Sequence, residues 1–151
     1  MRTAQEWLDA YGQSHQNPTN KTIHWICIPA IVMSIFGLLG AVPSPFESPW
    51  LHWGTLLAIG AVGYYALISI PLAIGMAAVS GVMLLLVQAL AALPIPLWAS
   101  SLGIFVVAWI FQFIGHKIEG QKPSFFEDLQ FLMIGPMWLL AALYRRAGIG
   151  Y

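Results

Sequence analysis

The chain has 151 residues, of which 59% are hydrophobic and only 8% are charged, and its mean hydropathy is +0.76. A soluble domain carries charge on about 25% of its residues, so this composition excludes an ordinary water-soluble fold and predicts an integral membrane protein. The net charge is zero with only six Lys and Arg residues, which excludes nucleic acid as a partner because phosphate binding needs a basic surface.

The middle of the chain contains no charged residues. None of them lies between Glu47 and Lys117, a length that a water-exposed fold does not leave bare of charge. We therefore predict a single membrane domain over residues 1–151, with a polar interfacial region at 1–24 and the spans and their loops at 25–144.

The N-terminal region has the pattern of a short amphipathic helix followed by the start of a second helix. Apolar side chains recur at the spacing i, i+3, i+4 and i+7, at Ala4, Trp7, Leu8 and Tyr11. This pattern over residues 3 to 13 is typical of a helix in the headgroup layer. The pair Asn17-Pro18 is typical of a helix N-terminus, because Asn caps well and Pro at the first position loses no needed N–H. A helix beginning there puts Asn20 and His24 on one face, one turn apart.

Apolar stretches then follow at residues 25–42, 53–70, 71–93 and 97–115, and each is long enough to span a bilayer. A fifth stretch, 129–144, is interrupted by Gly135-Pro136; its length fits a kinked span, a re-entrant segment or an interfacial segment. Before it, Ser124 and Glu127 have the spacing of a capping box, and Asp128 follows. The predicted fold is all-α: an integral membrane helical bundle of four to five spans with an N-terminal interfacial helix.

The span count places His24 and His116 on one membrane face. We predict that this face is cytosolic, because the loops on the other face, at 43–52 and 94–96, carry no Lys or Arg. His52 falls on the opposite face, so we exclude it from the site and interpret it as an interfacial residue. The sequence leaves open whether the membrane is a bacterial inner membrane or the endoplasmic reticulum.

Two polar clusters border the apolar stretches and carry the candidate chemistry. Gln112, His116 and Glu119 lie at i, i+4 and i+7 on one helix face, and the other cluster contains His15 and His24. Ionisable groups at a membrane boundary are costly unless they pair, bind a metal or face water. Imidazole with carboxylate and no thiolate suits zinc or non-haem iron, and ligand type alone does not separate the two metals. The candidate metal ligands are His15, His24, His116 and Glu119, of which His24, His116 and Glu119 are also the candidate catalytic residues.

The two clusters resemble the signature blocks of the membrane 2-hydroxy fatty acid dioxygenase family. The first block is His15-x-Asn17-Pro18-x-Asn20-x-x-Ile-His24 with Pro29 after it, and the second is Gln112-x-x-Gly115-His116-x-x-Glu119-Gly120-x-x-Pro123. The resemblance extends over nearly the whole chain, including its length, the order of its spans and the final run from Phe125 to Pro136. Both blocks together are specific, whereas either alone is weak.

The resemblance implies an Fe(II)-dependent α-oxidation that uses O2 to shorten a 2-hydroxy fatty acid by one carbon. It places the histidines of the family motif at His15, His24 and His116, with Glu119 in the second block. The expected partners are then membrane lipid, a 2-hydroxy fatty acid and O2. The predicted substrate-binding residues are Asn17, Asn20, Lys21 and Gln112.

Two other functions remain open from the residues alone. A zinc-dependent lipid hydrolase uses the same ligand types without O2. A membrane scaffold or proton-linked transporter would use the histidines for protonation. Against transport, residues 53–110 contain no ionisable group other than tyrosine, so no charged relay crosses the bilayer.

Overall fold

The computed structural model of the protein describes residues 2–46, 48–126 and 129–151. Over these residues the chain forms six α-helices, one 3-10 turn and no strand. The helices are α1 (Ala4–Gln13), α2 (Pro18–Gly40), α3 (Trp53–Ile68), α4 (Ile70–Ala91), α5 (Leu97–Glu119) and α6 (Phe131–Ala147), with the 3-10 turn at Ser124–Phe126. The all-α prediction is confirmed. The predicted capping box falls partly on Glu127, and both Glu127 and Asp128 lie outside the described residues.

Three helices, α2, α4 and α5, are long and apolar enough to cross a membrane, while α3 is apolar but has only 16 residues. α3 and α4 are separated by Ser69 alone and form a tight helical hairpin. The Ser69 side chain accepts a hydrogen bond from the N–H of Leu72 and so caps α4.

The first helix forms where its amphipathic pattern predicts, but its apolar face does not point outward. Thr3 and Glu6 form a capping box at its start. Trp7 and Tyr11 are buried against α6, where the ring of Trp7 meets that of Phe131 edge to face at 5.5 Å. The helix therefore buries its apolar stripe on another helix.

α6 lies across one end of the bundle instead of running along its length. The Tyr65 hydroxyl donates to the carbonyl of Met133 (2.7 Å), and the Tyr144 hydroxyl donates to the carbonyl of Pro71 (2.9 Å). Tyr65 and Pro71 flank the same turn between α3 and α4, so both halves of α6 contact one end of the bundle. We call it the histidine end, because residues 15, 24 and 116 lie there too.

The closest pairing in the bundle joins α2 to α5, and small residues permit it. A β-carbon at Gly115 would overlap Oδ1 of Asn20, and one at Gly37 would overlap Oγ of Ser101. These two contacts lie near opposite ends of the helix pair. The backbones thus approach along the whole seam, as small residues allow in membrane bundles.

Candidate metal centre

Three imidazoles from separate parts of the chain meet inside the histidine end. His15 follows α1, His24 lies on α2 and His116 lies near the end of α5. Their side chains are 1%, 1% and 5% exposed. One nitrogen from each ring lies within 4.8 Å of the others, and Nε2 of His24 is 3.2 Å from Nε2 of His116.

Backbone carbonyls fix the orientation of two of these rings. Nδ1 of His15 lies 2.7 Å from the carbonyl of Tyr11, and Nδ1 of His24 lies 2.9 Å from the carbonyl of Asn20. A carbonyl only accepts, so Nδ1 carries the proton and Nε2 keeps a free lone pair. This is the way metal-binding histidines are commonly oriented. Tyr11 also stacks on the His15 ring, with centroids 4.2 Å apart.

The nitrogens of His24 and His116 have the spacing of two ligands of one metal ion, and a nitrogen of His15 lies within 4.8 Å of both. Two nitrogens bound to one ion at about 2.0–2.1 Å lie about 2.8–3.4 Å apart when the angle at the ion is about 90–109°. The distance of 3.2 Å between Nε2 of His24 and Nε2 of His116 falls within this range. Nε2 of His15 and Nδ1 of His116 are buried without a hydrogen-bond partner. Buried polar atoms are normally paired, so a ligand for Nε2 of His15 would remove an unfavourable feature of the site.

Burial also favours the metal-binding form of His15. It lowers the pKa of the His15 imidazole below its ordinary value, because the protonated ring is poorly solvated inside the protein. The ring is therefore neutral at pH 7, the form that binds metals. Three nitrogen ligands and no thiolate suit zinc or iron, and leave coordination positions for other ligands.

Glu119 lies beside the histidines, but its carboxylate is directed at the start of α2. It accepts hydrogen bonds from the N–H of Gln16 (2.8 Å), the N–H of Asn17 (2.9 Å) and Nδ2 of Asn20 (3.0 Å). The group of candidate metal-binding atoms among the described residues consists of the three imidazoles without Glu119. A carboxylate at a helix N-terminus is also favoured by the helix dipole. Glu119 thus joins the end of α5 to the segment that carries His15 and His24.

The predicted substrate-binding residues separate into two groups. Asn17 caps α2 through its side chain and Asn20 binds Glu119, so both are engaged in holding the two histidine-bearing segments together. Gln112, by contrast, is buried and lines a cavity beside the histidines. Lys21 lines a different, polar cavity of about 500 Å³ together with Arg145, and His15 stands in the walls of both cavities.

The cavity beside the histidines, here the first cavity, has a volume of about 230 Å³ and two chemically distinct ends. The imidazoles, Gln112 and Ser124 form its polar end. Ile31 and Ile35 of α2 and Phe105 of α5 extend its walls away from the histidines. His24 and Ile35 are 11 residues apart on one helix, or about 16 Å along its axis.

The spacing of apolar residues on α2 could have predicted this wall of the first cavity. His24, Ile28, Ile31 and Ile35 are spaced i, i+4, i+7 and i+11, so they form one stripe on α2 that continues directly from the histidine. Another residue missed was Ser14, whose hydroxyl is 2.6 Å from that of Ser124 and 3.1 Å from Nδ1 of His15. A single serine in a polar segment gives no such signal.

His52 stands apart from the centre. It is the N-cap of α3, where its Nδ1 accepts from the N–H of Gly54 at 3.2 Å, and it is only 7% exposed. The histidine that the sequence placed at the interface and outside the site is therefore a buried helix cap. α3 begins at the end of the bundle opposite the histidine end.

Comparison with known proteins gives a consistent assignment. The family model described as "2-hydroxy-palmitic acid dioxygenase Mpo1-like" matches residues 1–147. The chain is 31% identical over 145 residues to the 2-hydroxy-palmitic acid dioxygenase MPO1 of Saccharomyces cerevisiae, a match that covers 93% of this chain and 79% of the yeast protein. No solved structure matches the chain. The chain belongs to the Mpo1-like 2-hydroxy-palmitic acid dioxygenase family.

Proposed function

We propose that this protein is a membrane-embedded, Fe(II)-dependent dioxygenase that shortens 2-hydroxy fatty acids by one carbon. The observation that carries the proposal is the meeting of three buried imidazoles at the polar end of a cavity whose other walls are apolar. A 2-hydroxy fatty acid has the matching form, with two adjacent oxygen functions at one end and an acyl chain behind them.

His15, His24 and His116 are the proposed ligands. The name of the yeast relative supports chemistry with O2, and iron is the metal of the two candidates that can exchange electrons with it. When bound, the ion would supply a redox centre and a template for the hydroxyl and carboxylate oxygens. Glu119 is proposed to act through the peptide segment it binds, as a positioning residue for His15 and His24.

The overall reaction balances without a further reductant. Written as R–CH(OH)–COOH + O2 → R–COOH + CO2 + H2O, it breaks the C1–C2 bond and conserves every atom. The 2-hydroxy acid loses four electrons, and reduction of one O2 molecule takes up four. The proposal therefore needs only the hydroxy acid and O2 as reactants.

The chain's own residues have three roles in this proposal. Gln112, which is only 5% exposed and lines the polar end of the first cavity, donates its amide N–H to the substrate carboxylate or hydroxyl. The apolar walls hold the acyl chain and keep water from the polar end. Lys21, at the neighbouring polar cavity, attracts the anionic acid from the aqueous side, which we propose is cytosolic.

The test combines oxygen uptake with product identification. Purified protein is stripped of metal, reloaded with Fe(II) or Zn(II), and given 2-hydroxyhexadecanoic acid or, as a control, hexadecanoic acid. The proposal predicts that only the Fe(II) form consumes O2, only with the hydroxy acid, and that it yields the C15 acid carrying 18O from 18O2. Cleavage of an added lipid ester by the Zn(II) form without O2 would instead identify a hydrolase. Absence of bound metal would contradict a metalloenzyme and leave a scaffold or transporter.

A further inference from the structure

A second cavity lies on the other side of the first cavity's wall. It has a volume of about 200 Å³ and is bounded by α2, α4 and α6. Every side chain that lines it is apolar, including Met76, Val79 and Met83 of α4 and Leu139 and Leu143 of α6. Polar molecules have no partner there, so the cavity suits an apolar ligand.

The two cavities are separated by a wall one side chain thick. Ile28, Val32 and Pro136 line both of them. The wall is also where α6 touches α2, since a β-carbon added to Gly135 would lie 3.3 Å from Cδ1 of Ile28. Joining the two cavities therefore requires the side chains of Ile28 and Val32 to move aside.

The volumes of the two cavities indicate that a long-chain substrate would occupy both. Pockets that hold drug-sized ligands have volumes of about 300–1,000 Å³. The first cavity, at about 230 Å³, falls below this range, whereas the two cavities together fall within it. The first cavity thus accommodates the reacting end and the first part of a chain, but not the whole of a long-chain acid.

We propose that the second cavity binds the distal part of the substrate's acyl chain. The acyl chain would pass from the first cavity to the second between Ile28, Val32 and Pro136. This inference rests on the proposed function. Two methionines in the far wall, Met76 and Met83, suit a chain that has no fixed conformation, because the methionine side chain is unbranched and adapts its shape. The competing path runs straight along α2 and α5 to Ile35 and Phe105, where the first cavity ends.

The first experiment fills the second cavity and compares substrates of two lengths. Val79→Trp puts an indole into it, while Val82→Trp adds the same group on the same helix at a side chain that is 52% exposed and lines neither cavity. Since each methylene in an apolar pocket is worth roughly tenfold or more in specificity, Val79→Trp should lower kcat/KM for 2-hydroxyhexadecanoic acid at least about tenfold and leave 2-hydroxyoctanoic acid within about twofold. Val82→Trp should change neither value.

The outcomes separate the two proposals. Equal losses of kcat/KM for both acids in Val79→Trp, or no loss for either, would refute the second cavity as the binding site of the acyl chain. Such a result would not affect the proposed dioxygenase function. If the unsubstituted protein turns over neither acid, it is the proposed function that fails.

A second experiment locates the bound acyl chain without requiring turnover. A 2-hydroxyhexadecanoic acid with a diazirine at its terminal carbon is photolysed with the protein, and the labelled peptides are identified by mass spectrometry. Labelling of α4 near Met76 and Met83, competed by unmodified 2-hydroxyhexadecanoic acid and lost in Val79→Trp, is the expected result. Labelling near Ile35 and Phe105 alone would show that the chain takes the straight path and would refute the inference.

Discussion

The substitution Glu119→Gln alters the contact that joins α5 to the start of α2 while keeping the size of the side chain. The carboxylate serves three donors, at 2.8, 2.9 and 3.0 Å, on Gln16, Asn17 and Asn20. An amide has only one acceptor oxygen, and its NH2 group would face one of these donors. At least one charge-assisted hydrogen bond is therefore lost, and the segment carrying His15 is held less firmly.

The magnitude follows from the strength of that bond. A hydrogen bond to a charged group contributes about 1.5–3 kcal/mol, and Glu119 is partly exposed to water, so the lower end applies. A loss of about 1.5 kcal/mol corresponds to a metal dissociation constant about tenfold larger. This agrees with the effect of about 10–100-fold that is usual for groups which orient metal ligands.

The assay titrates metal-free protein with the ion against a competing chelator. Glu6→Gln is the matched control, because Glu6 also binds a helix-start backbone N–H, that of Thr3, but far from the histidines; its metal affinity should not change. A loss of more than about a thousandfold in Glu119→Gln would refute the positioning role and indicate direct ligation, as the sequence predicted. An unchanged affinity would show that the contact of Glu119 with the start of α2 does not help to hold the metal ligands.

Three further substitutions test the helix packing, the cap of α3 and the substrate site. Gly115→Ala should lower the melting temperature by the equivalent of about 1–3 kcal/mol, because its β-carbon overlaps Oδ1 of Asn20. Gly103→Ala, on the same helix with open space around it, should not lower the melting temperature. Equal melting temperatures of the two variants would contradict the close packing of α2 and α5. His52→Ala should cost about 1 kcal/mol of stability through the lost cap and yet retain all bound metal, so metal loss would contradict its structural role. Gln112→Leu should retain metal but raise the KM of the hydroxy acid about tenfold, and an unchanged KM would remove Gln112 from the substrate site.

Much of the fold follows from local rules that the sequence displays. Asn17-Pro18 marks a helix start, and the structure indeed caps α2 with the Asn17 side chain. Apolar length located the spans, although α5 continues through His116 to Glu119, four residues beyond the apolar run. The approach of His24 and His116 was predictable because an even number of crossings returns the chain to the same face.

The remainder depends on contacts that leave no pattern in the sequence. The amphipathic stripe of α1 is equally suited to a membrane surface and to α6, and only the tertiary structure decides between them. The partners of Glu119 are mainly backbone N–H groups, which every residue except proline has. The sequence shows only that Glu119 lies three residues after His116, a spacing that predicts a metal ligand. In the structure the Glu119 carboxylate is directed to the start of α2.

The decisive measurement is the metal content of protein purified without chelator, with His24→Ala and His116→Ala compared to His52→Ala. We expect about one ion per chain in the unsubstituted protein and in His52→Ala, and little or none in the other two variants, because each loses one of three nitrogen ligands. Full metal content in His24→Ala or His116→Ala would contradict a centre built from these imidazoles.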